Sequence, residues 1–169
     1  AEEQFVNDEF ISELGRKFPQ ITLMNNPDDY SYLPFTINMA CIENIHGFMH
    51  EYCHFIIATP HQRSLINFGL GKSPTDNSNL PPPDMDWLIL DPHEQEFYAG
   101  ILTLIYQQYY GYDTWWCLET MALNFCLEDE TPLDDWFQVL TDLTLSGLVI
   151  WNEEAMPVPT FQINNGSLN

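Results

Sequence analysis

The first quarter of the chain changes from a helical to a strand-like pattern of apolar residues. Within residues 4–18 apolar side chains recur three and four positions apart, which predicts an amphipathic helix. Residues 21–24 predict a short strand, and residues 30–38 predict another that Pro34 interrupts. Because proline lacks the N–H that a sheet ladder requires, we expect this second strand at the edge of a sheet.

The middle of the chain predicts a helix, a short strand and a long connection. Apolar residues three and four apart indicate a helix over residues 42–58, which Pro60 ends. Residues 64–70 predict a short strand. Residues 71–86 carry several prolines and few apolar side chains, and within them we expect residues 73–86 to form a loop or a lid over a site.

A helix start is encoded at Asp91. This residue is a suitable N-cap, Pro92 suits the first helical position, and Glu94 occupies the capping-box position. The apolar pattern then continues to residue 110. We therefore expect a helix between these limits.

The rest of the chain is predicted to be mostly helical. Residues 114–127 and 133–146 each have a helical apolar pattern, whereas residues 157–169 are expected to form a frayed tail. Together the elements predict the α+β class. We expect one helix-rich domain over residues 1–169, with a small mixed sheet and a metal site on a central helix.

The metal site is predicted by polar residues within the helix at 42–58. The run His50-Glu51-Tyr52-Cys53-His54 has the H-E-x-x-H pattern. Positions i and i+4 of a helix lie one above the other, so the imidazoles of His50 and His54 can converge on one ion. The alternative is a pair of buried histidines that form hydrogen bonds in the core.

A carboxylate of the helix that begins at Asp91 is expected to complete the site. Helical spacing groups Glu94 with the inward aromatic residues, and Glu96 with Gly100 and Thr103 on the outer face. Glu94 is therefore the predicted third ligand. A capping box, which requires no metal, would also explain a glutamate at this position.

Charge separates this chain from most proteins of its size. It has 25 acidic residues against 4 lysines and arginines, for a formal net charge of −21. Such a charge repels phosphates, which argues against nucleic acid as a partner, and it attracts cationic ligands or protein surfaces. A solvated acidic surface without any partner is the alternative.

Cysteine usage and hydropathy predict a cytoplasmic protein. The chain lacks both a basic segment followed by an apolar run at its start and an apolar stretch long enough to span a membrane. The cysteines lie in apolar stretches without a C-x-x-C pair, which favours reduced core thiols. They are Cys41, Cys53, Cys117 and Cys126.

Several of these features together resemble the elongation factor P hydroxylase family. The similarity covers residues 30–110 and is most specific at residues 50–69. The residues that carry it are Tyr32-Leu33-Pro34, His50-Glu51-x-x-His54-Phe55, Ile57-Ala58, Arg63, Leu65, Phe68-Gly69, and Glu94 with Ala99.

The resemblance implies a non-haem iron hydroxylase that acts on a modified lysine of elongation factor P, with helices around a small sheet. In this chain His50, His54 and Glu94 match the two histidines and the carboxylate of the family's iron site. The implied cofactor is Fe(II). The implied partner is a protein substrate with a cationic, lysine-like side chain. The net charge and the hydropathy described above predict neither nucleic acid nor a membrane as a partner.

The residue chemistry alone leaves three functions open. Two histidines and a carboxylate leave three coordination positions vacant for oxygen and substrate, which suits ferrous iron. Zinc accepts the same ligands, and Glu51 would then be the general base of a peptidase or other hydrolase. The third possibility is an acidic binding protein that has a metal but no catalytic activity.

Arg63 is a further candidate for the active site. It lies close to the H-E-x-x-H motif in a chain with few basic residues. A guanidinium there could bind a carboxylate of the substrate or cosubstrate, which would make Arg63 a catalytic candidate beside Glu51. An ordinary salt bridge is the alternative.

Overall fold

The computed structural model describes residues 8–42, 45–70, 90, 92–112 and 133–165. The helices are α1 (Asp8–Lys17), α2 (Ile45–Ile57), α3 (Pro60–Arg63), α4 (Pro92–Tyr110) and α5 (Leu133–Leu145). The strands are β1 (Thr22–Met24), β2 (Tyr32–Leu33), β3 (Thr36–Asn38), β4 (Val149–Trp151) and β5 (Pro157–Pro159). Helices with two small sheets agree with the predicted α+β class.

The larger sheet is mixed and has the strand order β1-β3-β2. β1 runs parallel to β3, with Thr22 opposite Thr36, and β2 runs antiparallel to β3, with Tyr32 opposite Ile37. The single interrupted strand predicted for residues 30–38 is therefore a hairpin, with Pro34 in its turn. The edge position applies to β2 only, since β3 is the central strand.

The core is built around α2 and α4. From Phe48 to Ile57 every side chain of α2 except that of Glu51 is buried, in agreement with a helix that is apolar on most of its circumference. The ring of Phe18, just after α1, packs edge-on against Phe48 and Tyr52, each at a centroid distance of 5.0 Å. These contacts hold α1 against the helix that carries the H-E-x-x-H motif.

Arg63 ties the end of α2 to a segment about a hundred residues later in the chain. Its guanidinium donates hydrogen bonds to the carbonyls of Ala58 at 2.6 Å and Asn164 at 2.5 Å, and to that of Phe55 at 3.4 Å. Asn164 in turn donates from its backbone to Ile56 and from its side chain to Ile57. The carbonyls that end α2 are thus paired without solvent.

Two predictions for local structure are wrong. Residues 64–70 do not form a strand, because Ile66–Gly69 is a 3-10 turn in which Asn67 and Phe68 have φ angles of 47° and 59°. Left-handed backbone costs about 1–2 kcal/mol for a residue with a Cβ. No pattern in this part of the sequence indicates such a conformation. Residues 157–165 are not frayed, because β5 pairs with β4 and Asn164 is buried.

Other predictions are confirmed or fall outside the described residues. The helices predicted over residues 42–58 and from Pro92 to residue 110 are present. The loop or lid at 73–86 and the helix at 114–127 lie outside the described ranges, so both stay predictions. Cys53 is buried as expected, whereas Cys41 is exposed. Among the described residues, no helix is long and apolar enough to cross a membrane.

Candidate metal centre

α2 presents His50 and His54 to the same point. One helical turn separates them, and their Nε2 atoms lie 3.1 Å apart. Both side chains are buried, with exposed fractions of 11% and 5%. Two imidazole nitrogens at this distance repel each other if both carry a proton, and a shared cation removes that conflict.

The carboxylate that meets the two histidines belongs to Glu96. One of its oxygens lies 3.1 Å from Nε2 of His50, and the other lies 3.0 Å from Nε2 of His54. Glu94, the predicted third ligand, is exposed and is not part of this group. The structure therefore brings together His50, His54 and Glu96 in place of the predicted set with Glu94.

The prediction of Glu94 depends on a helix-face assignment that the structure contradicts. Gly100 and Thr103, which that assignment places with Glu96 on the outside of α4, are buried. Gln107, eleven residues after Glu96 and thus about three turns along the same face, donates to Nδ1 of His46 at 2.7 Å. The contacts Glu96–His54 and Gln107–His46 show that α2 and α4 run antiparallel, with Glu96 on the contact face.

The three ligand groups are close enough to bind one metal ion. One ligand atom from each residue lies within 4.8 Å of the other two, and Glu96 turns one carboxylate oxygen to each histidine. Imidazole nitrogens and a carboxylate oxygen are ligands that both iron and zinc accept. His50, His54 and Glu96 therefore fit a divalent first-row metal ion.

Electrostatics favour a charged carboxylate at this position. Burial alone would raise the pKa of Glu96, but the charge of His54 and the hydrogen bonds from both imidazoles hold it well below its usual range. Burial alone would lower the pKa of His54, yet the charge and hydrogen bond of Glu96 raise it, with a smaller effect from Glu51. The negative charge that a cation requires is therefore present.

The ring of His54 is packed between two other rings. Phe68 stacks on one face of it, at a centroid distance of 5.8 Å and an interplanar angle of 30°. His50 meets it edge-on at 4.7 Å. Phe68 belongs to the left-handed turn at Ile66–Gly69, so sequence patterns alone could not assign it to the site.

Arg63 and Glu51, the two catalytic candidates, are not members of the ligand group His50, His54 and Glu96. Arg63 is 2% exposed and binds backbone carbonyls, and no carboxylate partner is found for it among the described residues. Burial lowers its pKa. Glu51 is half-buried, and its charge acts on His54 without a direct contact to the ligand group. The position of Arg63 thus indicates a structural role.

Comparison with known proteins gave no match to a family model, a curated protein or a solved structure. The geometry of His50, His54 and Glu96 and the sequence of the chain are therefore the features that bear on its function.

Proposed function

We propose that this chain is a metal-dependent hydroxylase with a 2-His-1-carboxylate Fe(II) site formed by His50, His54 and Glu96. One observation carries the proposal: ligand atoms from two antiparallel helices, 46 positions apart in the chain, lie within 4.8 Å of one another. Two alternatives to a metal site explain this arrangement less well. A pair of core histidines would require no carboxylate beside it, and a glutamate that caps its own helix would not contact another helix.

Iron is favoured over zinc by the resemblance to elongation factor P hydroxylase, and two histidines with one carboxylate are a ligand set that suits Fe(II). A ferrous ion held by these residues would keep positions open for oxygen and substrate, and would supply the activation of O₂ that hydroxylation of a C–H bond requires. The protein supplies the fixed histidines and a charged carboxylate. The open side is that of Glu96, whose side chain is 44% exposed, while both histidines are buried.

A cationic protein side chain is the substrate that best fits the charge of this chain. The net charge of −21 gives a negative potential. A lysine-like arm is attracted by such a potential. The similarity to elongation factor P hydroxylase supports a modified lysine of elongation factor P, and a translation factor as substrate would place the enzyme in the cytoplasm.

A zinc hydrolase is the second candidate, and Glu51 is the residue that favours it. In the H-E-x-x-H pattern the glutamate after the first histidine acts as general base toward a metal-bound water. The charge of Glu51 already influences His54. Glu51→Gln should abolish a hydrolase while leaving metal content unchanged, whereas a hydroxylase should retain most of its turnover.

The deciding experiment is metal analysis of protein purified anaerobically without chelator or nickel resin. We expect iron in a one-to-one ratio, and O₂ consumption that depends on a lysine-bearing substrate protein. Stoichiometric zinc with peptide hydrolysis would establish the hydrolase instead. Stoichiometric metal with neither activity would leave an acidic binding protein, and absence of any bound metal would refute the proposal.

A further inference from the structure

The metal-binding histidines of this chain are oriented in an unusual way. Histidine ligands generally donate the N–H of their second ring nitrogen to a carbonyl or a carboxylate, which fixes the ring and its tautomer. Within the described residues, Nδ1 of His50 and Nδ1 of His54 are buried and have no hydrogen-bond partner. A ring contact could restrain one of these imidazoles instead, and His54 has such a contact.

For His54 that contact is Phe68. The two rings are stacked, and Phe68 is itself only 3% exposed. Its other neighbour is Tyr32, whose ring stacks on it at a centroid distance of 3.8 Å and an angle of 22°. A flat ring held on its face cannot rotate about χ2 without displacing its neighbour, so this stack restrains the direction of Nε2.

Phe68 reaches His54 through backbone that is disfavoured in itself. Both Asn67 and Phe68 have left-handed φ angles. The turn is tethered by Asn67, whose Oδ1 accepts hydrogen bonds from the hydroxyl of Ser31 and the backbone N–H of Tyr32, both at 3.0 Å. Disfavoured backbone that surrounding contacts hold in place is concentrated at functional sites.

We propose that the left-handed turn at Asn67 and Phe68 positions His54 for metal binding, by holding its imidazole with Nε2 toward His50 and Glu96. Phe68 is the positioning residue and Asn67 is its tether. The inference rests on the proposed metal site. It adds that the orientation of one ligand depends on ring stacking from a separate segment of the chain.

The test compares two buried phenylalanines. Phe68→Leu removes the aromatic face from His54, and Phe18→Leu removes a fully buried ring that packs on Phe48 and Tyr52. We expect anaerobic titration with Fe²⁺ to show affinity about 10–100-fold weaker for Phe68→Leu, the range found when histidine-orienting partners are removed. Phe18→Leu should lower the melting temperature but change the affinity less than twofold.

Two further variants test the mechanism. Phe68→Tyr keeps the aromatic face and should restore most of the affinity. Asn67→Gly keeps the left-handed backbone and removes the tether, so it should weaken Fe²⁺ binding even if Phe68→Leu does not fold. Equal affinity in wild type, Phe68→Leu and Asn67→Gly would overturn the inference, as would an equal loss in Phe18→Leu.

NMR of the metal-free protein separates this inference from the proposed function. We expect cross-relaxation between the ring protons of Phe68 and His54 in the wild type. In Phe68→Leu we expect the imidazole ¹⁵N resonances of His54 to broaden. If the wild type binds no metal, the proposed function fails while these spectra still decide the orientation of His54. A freely rotating His54 ring in the wild type would refute the positioning role.

Discussion

Nδ1 of His46 lies 2.7 Å from the side-chain amide of Gln107, two turns along α2 from His54. This contact is the counterpart of the one between His54 and Glu96, at the other end of the interface between α2 and α4. The two contacts together fix the register of the helices. A shift of α4 by one turn would break both, and so would remove the carboxylate from the histidines.

The first prediction distinguishes two glutamates of the same helix. Glu96→Ala should abolish stoichiometric metal binding, because it removes the carboxylate that lies 3.0–3.1 Å from both histidines. Glu94→Ala is the matched control, since this residue is exposed and lies two positions away. It should retain the metal. Metal content measured by mass spectrometry tests both, and the reverse result would restore Glu94 as the third ligand.

The second prediction concerns pH. Because the pKa of His54 is raised in the metal-free protein, its proton should compete with Fe²⁺ above pH 6.5, the usual histidine pKa. Affinity should therefore fall as pH falls, about tenfold per unit where one proton competes. Titrations between about pH 8 and 5.5 measure this.

Glu51→Gln provides the control for this pH dependence. It removes a charge that contributes to the raised pKa of His54, so the loss of affinity should begin at a slightly lower pH.

The stability of the metal-free protein should change with pH in the opposite direction to its metal affinity. The raised pKa of His54 stabilises the fold below the pKa of the unfolded state, and this contribution is lost as pH rises through the folded-state pKa.

The third prediction is that Arg63 stabilises the fold. Arg63→Met should leave the carbonyls of Ala58 and Asn164 buried without a donor, at a cost of about 2–4 kcal/mol in the free energy of unfolding. Arg16→Met, at an exposed position of α1, should change it by less than about 0.5 kcal/mol. Urea denaturation measures both. Unchanged stability with lost turnover would instead establish the catalytic role suggested by sequence.

The fourth prediction is that salt weakens substrate binding. A lysine-bearing peptide should bind less tightly at about 1 M than at about 0.1 M salt, since the screening length falls from about 10 Å to 3 Å. The same peptide with glutamine in place of lysine is the control and should bind weakly at both. Binding independent of salt would mean that the net charge of −21 serves solubility.

The two central helices could be predicted because apolar spacing dominates the sequence of each. α2 and α4 follow from apolar spacing and from the proline signals at their ends, and the pair His50 and His54 follows from helical geometry alone. Neither apolar spacing nor helical geometry decides between Glu94 and Glu96. α4 buries side chains around most of its circumference, so no apolar stripe marks the face that meets α2.

Features set by distant contacts escaped prediction. The turn at Asn67 depends on donors from Ser31 and Tyr32, which lie 36 and 35 positions away. Asn164 is held in place because its carbonyl accepts a hydrogen bond from the guanidinium of Arg63, 101 positions earlier in the chain. Secondary-structure propensity reflects residues that are close together in the sequence, whereas these contacts join residues that are far apart in it.

The contacts between Arg63 and Asn164 also bear on the order of biosynthesis. A ribosome must translate 101 further residues after Arg63 before Asn164 can pair with its guanidinium and with the carbonyls of Ile56 and Ile57. In a nascent chain that has reached only Glu96 the end of α2 would lack these contacts, so we expect its histidines to bind divalent ions less selectively at that stage. We expect selective loading with iron to occur after translation has passed Asn164, and interrupted translation to yield a chain that cellular quality control removes.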